Sequence, residues 1–320
     1  MAFSLGTMTA YIEENKADLI SKAITGSRIM DFVDVRENVK SGMRIPILES
    51  TAPAQAGAAC GFTSSGTTTI SQTTISTTSL KVEEAWCLKD LEAYFTQKWL
   101  KPGQKPDDTA IIADILNRKM ANIAQKFGMM IVQGDTDYTN DTWLKKLNGI
   151  ISTVDAASDE ILATAQASIS TSTVRGIFEE IVFQKIPSAI LNKGAIVMCG
   201  QDTFRILLQK LWVDNLYHFN PGTEMNSMEL IYPGTNVKVV AMADFNNDNP
   251  VETGSLPTVV KNRIIATYKE NIVVGLDRAA DMTDFKVWYS DDNEQLRMRF
   301  RINAGVAVHF TDQVVSYVNS

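Results

Sequence analysis

The spacing of apolar positions changes several times along these 320 residues, and each change marks an element. From about Thr9 to Ile24, the residues Tyr11, Ile12, Leu19, Ile20 and Ala23 fall on one side of a helix. Glu13 and Glu14 occupy its first turn, where the positive end of the dipole favours carboxylates, and Gly26 suits a left-handed terminus. A short helix with a single apolar face needs cover, from its own body or from another subunit. Leu88, Leu91, Phe95 and Trp99 repeat at helical spacing before Lys101-Pro102-Gly103 breaks the pattern. A longer helix follows, capped by Asp107 or Asp108, with Ile112, Leu116, Ile123, Phe127 and Ile131 on one stripe and an end near Gly134. It would span roughly 40 Å, more than twice the average helix. Such a helix is either the core helix of an ordinary domain or a spine lying across a sheet.

Between these helices the pattern is of another kind. Met43-Arg44-Ile45-Pro46-Ile47-Leu48 reads as a strand, and Pro46, lacking an amide donor, places it on an edge. From Ser50 to Leu80 there is no charged residue, and about half the positions are Ser or Thr. Ile70 and Ile75 fall on opposite faces of an extended strand, so neither face carries enough apolar area to form a core. Thr nevertheless favours extended backbone, and Leu80-Lys81-Val82-Glu83 resumes a clean alternation. Residues 43–85 thus read as a long two-stranded arm; the competing reading is a flexible Ser/Thr-rich linker. An isolated hairpin is marginal in water, so an arm requires a partner surface.

The second half alternates. Asn148-Gly149-Ile150-Ile151-Ser152 reads as a turn and strand start. A helix carrying Val174, Ile177, Phe178, Ile181 and Val182 stops at Pro187. The strand Ala195–Cys199 runs into a helix with Phe204, Ile206, Leu207, Leu208 and Leu211, and Val237–Ala241 is a further strand. Residues 152–262 form a compact α/β unit. Beyond it, Arg263–Thr267 and Ile272–Leu276 are strands, and Phe285–Tyr289 pairs with Leu296–Ile302 around Asp291-Asp292-Asn293-Glu294. On the last strand Leu296, Met298, Phe300 and Ile302 face one way and Arg297, Arg299 and Arg301 the other. That arginine row is either a solvated sheet face or a contact to nucleic acid or an acidic neighbour.

Composition narrows the class. With 45% hydrophobic and 21% charged residues the chain is an ordinary folded protein, long enough for about two domains. No apolar run reaches bilayer length, and Met1–Thr7 lacks the basic flank and apolar stretch of a signal peptide, which predicts a cytosolic origin. Cys60, Cys87 and Cys199 lie far apart and read as free thiols. A net charge of −7 argues against a dedicated duplex-DNA binder but not against enclosing DNA.

Candidate chemistry is sparse. His218 and His309 have no ligand-spaced companion, and His309 between Val308 and Phe310 reads as structural. Gly61-Phe62-Thr63-Ser64-Ser65-Gly66-Thr67-Thr68 has the two glycines of a phosphate-binding loop, but Thr67 stands where the lysine is required. Asp244 to Asn249 has alternate oxygen ligands like a calcium loop, yet Asn249 replaces the turn glycine and Ser255 the bidentate glutamate, so a solvated loop is expected. No catalytic residue, cofactor or metal is predicted.

In its order of elements the chain resembles the major capsid proteins of tailed bacteriophages, whose Hong Kong-type fold is shared with encapsulin shells. Leu147-Asn148-Gly149-Ile150 and Ile272-Val273-Val274-Gly275-Leu276-Asp277 also have the texture of capsid sequences. The resemblance implies an α+β architecture. It comprises an N-terminal arm (1–42), an extended two-stranded loop (43–86) and a peripheral domain with a spine helix (87–151). An axial α/β domain (152–262) and C-terminal strands largely in the peripheral sheet (263–320) complete it. It implies a non-enzymatic shell subunit that assembles with itself as hexamers and pentamers in the host bacterial cytoplasm. The resulting virion head encloses double-stranded DNA without reading its sequence, with scaffold, portal and decoration proteins as further partners and no membrane. The subunit-interface candidates are Ile45, Ile47, Pro53, Phe62, Ile70, Ile75, Leu80 and Trp86; Arg297, Arg299 and Arg301 would face the lumen or a neighbour. With Met1 close to the arm, scaffolding is expected from a separate protein or not at all. The absence of lysine between Lys40 and Lys81 argues against cross-links through the loop tip. An encapsulin-like compartment and an α/β enzyme with an unrecognised site remain as alternatives.

Overall fold

A computed structural model describes residues 14–15, 18–24, 26–51, 53–54, 64–87, 108–138, 143–214, 228–246, 262–277, 285–290, 292–293 and 295–319. The expected helix over Leu88–Trp99, most of the segment before Asp18, Phe62 and His218 lie outside them.

In chain order the strands are β1 (Asp34–Glu37), β2 (Met43–Thr51), β3 (Thr67–Ile75), β4 (Thr78–Cys87), β5 (Ile161–Leu162), β6 (Ile196–Gly200), β7 (Glu229–Ile231), β8 (Lys238–Met242), β9 (Ile264–Thr267), β10 (Ile272–Leu276), β11 (Lys286–Ser290), β12 (Gln295–Val308) and β13 (Val315–Tyr317). They form a five-stranded sheet, β1-β10-β12-β11 with β4 along β12, a six-stranded sheet, β5-β13-β9-β6-β8-β7, and the separate hairpin β2-β3.

The long helix is Asp108–Gln133, 26 residues. Its Leu116, Met120, Ile123, Phe127 and Met130 pack in one core with Leu296, Met298, Phe300 and Ile302 of β12. The clean alternation of β12 has this cause: the odd-numbered arginines point away from the helix. Leu19, Ile20, Ala23 and Ile24 of the N-terminal helical segment join the same core, so that apolar face is covered by its own chain.

In the six-stranded sheet, β6, β8 and β9 are buried on both faces. Met198, Val240, Met242 and Ile265 face the long-helix core, while Val197, Cys199, Val239, Ala241, Ile264 and Ala266 face a second core with Val174, Phe178, Phe204 and Leu207. Burial on two sides is why these strands read as continuous apolar runs. β9 and β13 belong to this sheet, whereas β10, β11 and β12 belong to the five-stranded one.

Three local expectations are corrected. Residues after Gly149 form a helix, Ile150–Ala157, where the β-branched run suggests a strand. Gly149 donates its amide to Gly134 O at 2.8 Å, and this close approach of two glycines aims the chain so that Ile150, Ile151 and Val154 bury one helical face. Tertiary packing overrides propensity here. Second, the two-stranded arm ends at Ile75: β4 leaves it and pairs with β12 from Thr78↔Ala304 to Cys87↔Gln295. Third, Asp244 is no part of a solvated loop; it lies in a short 3-10 turn, Ala243–Phe245, and is buried.

Candidate interaction surface

The hairpin has a rooted end and a bare end. At the root, Ile45 and Ile75 form a small core with Val39, Val273 and Ala307, the last two from the five-stranded sheet. Gly42, at φ +80°, makes the turn into β2 and donates its amide to Ile75 O at 3.0 Å. β2 and β3 then pair from Met43↔Ile75 to Thr51↔Thr67. Side-chain hydroxyls bridge the far end: Thr51 Oγ1 and Thr67 Oγ1 are 2.8 Å apart, and Thr67 N donates to Thr51 Oγ1 at 3.3 Å.

Leu48 and Ile70 lie directly opposite one another and are 67% and 70% exposed. Both carry large apolar side chains on the ribbon face away from Ile45 and Ile75, and leaving them in water forfeits about 1.5–3 kcal/mol apiece relative to burial. Of the residues singled out in the sequence, Ile70 and Pro53 are exposed and Ile47 is half-buried, whereas Ile45, Ile75 and Leu80 are buried within their own chain. Leu80 is opposite Ile302 in the body sheet. Trp86 packs on the long-helix core and donates its indole N–H to Glu84 at 2.8 Å. Leu48 was missed; its signal was the alternation Arg44, Pro46, Leu48 on the face opposite Ile45.

The arginine row sits on the same sheet face as the hairpin root. Along β12 that face runs Arg297, Arg299, Arg301, Asn303, Gly305, Ala307, and the core face lies behind it. Cross-strand partners share a face. Arg297 is opposite Ala85 and Trp288, Arg299 opposite Glu83 and Lys286, and Arg301 opposite Lys81. Among these paired, described positions five cations stand beside one carboxylate, in a chain of net charge −7. The Lys81 hydrogen bond, with Arg301 and Arg299 nearby, holds the Glu83 carboxyl below its usual range. The Arg299 guanidinium lies 6.0 Å from the ring centre of Trp288, which is exposed.

Among the described residues, no group of three or more His, Cys, Asp or Glu could hold a metal, and no helix is long and apolar enough to cross a membrane. Burial, together with Arg36, lowers the pKa of His309 and favours its neutral form, and its amide donates to Asn271 O. Ser64–Gly66 lead into strand β3 and not into a helix, so Gly66 offers no phosphate a helix N-terminus. A hollow lined by Val182, Phe183, Ile186, Leu191 and Val237, together with the polar Thr235 and Asn236, carries no titratable group.

No family model matches the sequence, and no curated protein matches it. Solved structures do match in fold. A chain of the satellite phage P4 procapsid, in a structure including the size determination (Sid) protein, is 9% identical. It aligns over 94% of this chain and 98% of its own, with a TM-score of 0.57. A chain from Gordonia phage Cozz is 13% identical, over 92% and 86%, with a TM-score of 0.54. The capsid of Myoviridae phage XM1 is 13% identical, over 91% of each chain, with a TM-score of 0.51. The fold is that of phage capsid proteins.

Proposed function

We propose that this chain is the major capsid protein of a tailed phage, a structural subunit that builds a closed head around double-stranded DNA. The observation that carries the reading is the Leu48–Ile70 pair: two large apolar side chains held in water on a ribbon whose root is locked into its own body. A second copy supplies the missing cover, and a ribbon poor in charge loses little on desolvation. Because ribbon and receiving surface differ, the contact is head-to-tail, which closes into rings when the rotation allows. Pentamers and hexamers are such rings, and many modest contacts in a closed shell give avidity. The arginine row, on the side from which the ribbon springs, receives part of a neighbour. The likeness to the P4 procapsid and the XM1 capsid supports the shell role. Scaffold, portal and decoration proteins are the further partners, assembly takes place in the host cytoplasm, and the product is the virion.

Purified chain, imaged by negative stain with and without a candidate scaffold, should yield shells or rings. A chain that stays monomeric at every concentration, with Leu48 and Ile70 still exposed, would overturn the proposal.

A further inference from the structure

The segment Ser27–Asp31 is tied to the rest of the chain by a buried polar knot. Ser27 Oγ donates to Asp244 Oδ2 at 2.9 Å, and the Ile29 backbone amide also bonds this carboxylate. Gly128 of the long helix abuts both; a Cβ there would overlap Ser27 Oγ and Asp244 Oδ1. Gln133, a turn further along the helix, donates through Nε2 to Asp244 O and, at 3.2 Å, to Asn246 O. Asn246 Oδ1 in turn accepts the Gln201 amide at 2.7 Å, at the start of the helix Gln201–Val213. The knot thus joins the N-terminal segment, the long helix and the six-stranded unit.

We propose that Asp244 is a proton-operated latch: protonated, it holds Ser27–Asp31 and the long helix on the six-stranded unit, and ionised, it loosens them. Depth of burial sets this sense, against the donors that face the carboxyl. Asp244 is 3% exposed, and a carboxylate buried at that depth without a cation costs several kcal/mol unless neutralised. No cation faces it. The carboxylate meets Gly128 of the long helix, Ser27 and the Ile29 amide of the N-terminal segment, and its own amide, while Gln133 bonds the Asp244 main-chain oxygen. The nearest base in sequence on that segment, Arg28, is committed elsewhere, pairing with Glu229 at 2.8 Å and donating to Ala241 O. Burial is the largest influence on the carboxyl and pushes its pKa up to about 6, against the lowering effect of the bonds from Ser27, the Ile29 amide and its own amide. The folded state therefore binds the proton more tightly than the unfolded chain does. The latch is closed below the ordinary carboxyl range and opens as pH rises through about 6. This holds whether or not copies assemble.

The test is amide hydrogen exchange of the full chain at a series of pH values, corrected for intrinsic rates, with the Asp244→Asn variant alongside. In the wild-type chain, protection over residues 29–33 should fall by up to roughly 100-fold between pH 4 and pH 7.5, the size a two-unit difference in proton affinity allows. In Asp244→Asn it should be independent of pH. Parallel profiles in the two chains, or wild-type protection that does not change, would overturn the latch. Should the Asn variant fail to fold, Ser27→Ala serves instead: it removes a bond that favours the ionised form, so the fall in protection must move to lower stability and higher pH. An unmoved midpoint would equally overturn the proposal.

Discussion

Gly275 and Gly305 are direct cross-strand partners in β10 and β12, and together they leave a notch in the sheet that the side chain of Ile75 fills. A Cβ on Gly305 would lie 2.9 Å from Ile75 Cγ2, and one on Gly275 3.2 Å from the same atom. Neither glycine has an unusual backbone angle; each is required because another chain segment comes too close for a side chain. The notch is what fixes the root of the ribbon on the face that carries the arginine row.

Gly305→Ala should therefore destabilise the chain by about 1–3 kcal/mol through overpacking against Ile75 and Ser76, and should displace the ribbon. Gly176→Ala is the control: nothing lies within 4 Å of its Cβ position, and in a helix interior alanine should stabilise by up to about 1 kcal/mol. Urea denaturation of both variants decides it. Equal and small effects would mean that the notch does not grip the ribbon.

The isoleucines five residues apart on β3 should behave oppositely. Ile75, 0% exposed, should cost about 2–5 kcal/mol of subunit stability when cut to alanine, because a cavity opens over the sheet. Ile70→Ala should leave subunit stability within about 0.5 kcal/mol while reducing assembly. Thermal melts and sizing chromatography separate the two readouts. An Ile70→Ala chain that assembles as well as wild type would remove the ribbon from the interface.

Much of this was legible in the sequence, and the misses have physical reasons. The opposed faces of Ile70 and Ile75, the 26-residue helix and the alternation of β12 all follow from local periodicity. The landing of β4 on β12 does not: Leu80 meets Ile302 across a separation no local pattern encodes. For the same reason Leu80 and Ile75 look like interface residues in sequence, since an apolar side chain in a polar ribbon does not declare whose core it enters. Ile150–Ala157 was misread because β-branched residues in a row favour a strand until Gly134 and Gly149 are seen to touch. Asp244 is an Asn/Asp-rich turn in sequence and a buried carboxyl in space, a difference set by Ser27 and Gly128 from distant parts of the chain.

Thiol reactivity offers an independent check of the burial. Complete burial pushes the Cys199 thiol up to about 12, so almost none is thiolate at neutral pH, while Cys87 ends the exposed side of β4. Alkylation of the native chain followed by peptide mass spectrometry should modify Cys87 and leave Cys199 intact until denaturant is added. Comparable rates at both positions would contradict a closed second core.

The arginine row makes the last prediction, and salt is its probe. Arg297→Gln with Arg301→Gln removes two of the three arginine charges of this row, and a partly exposed row should cost the subunit no more than about 1 kcal/mol. If a neighbour's acidic surface rests there, association of the wild-type chain should weaken as the Debye length shrinks from about 10 Å at 0.1 M salt to about 3 Å at 1 M. The double variant should assemble less well at low salt and lose much of that salt dependence, because the contact left at Leu48 and Ile70 is apolar. Light scattering across a salt series measures both slopes. Identical slopes would leave the row as a solvated face and put the weight of assembly on Leu48 and Ile70.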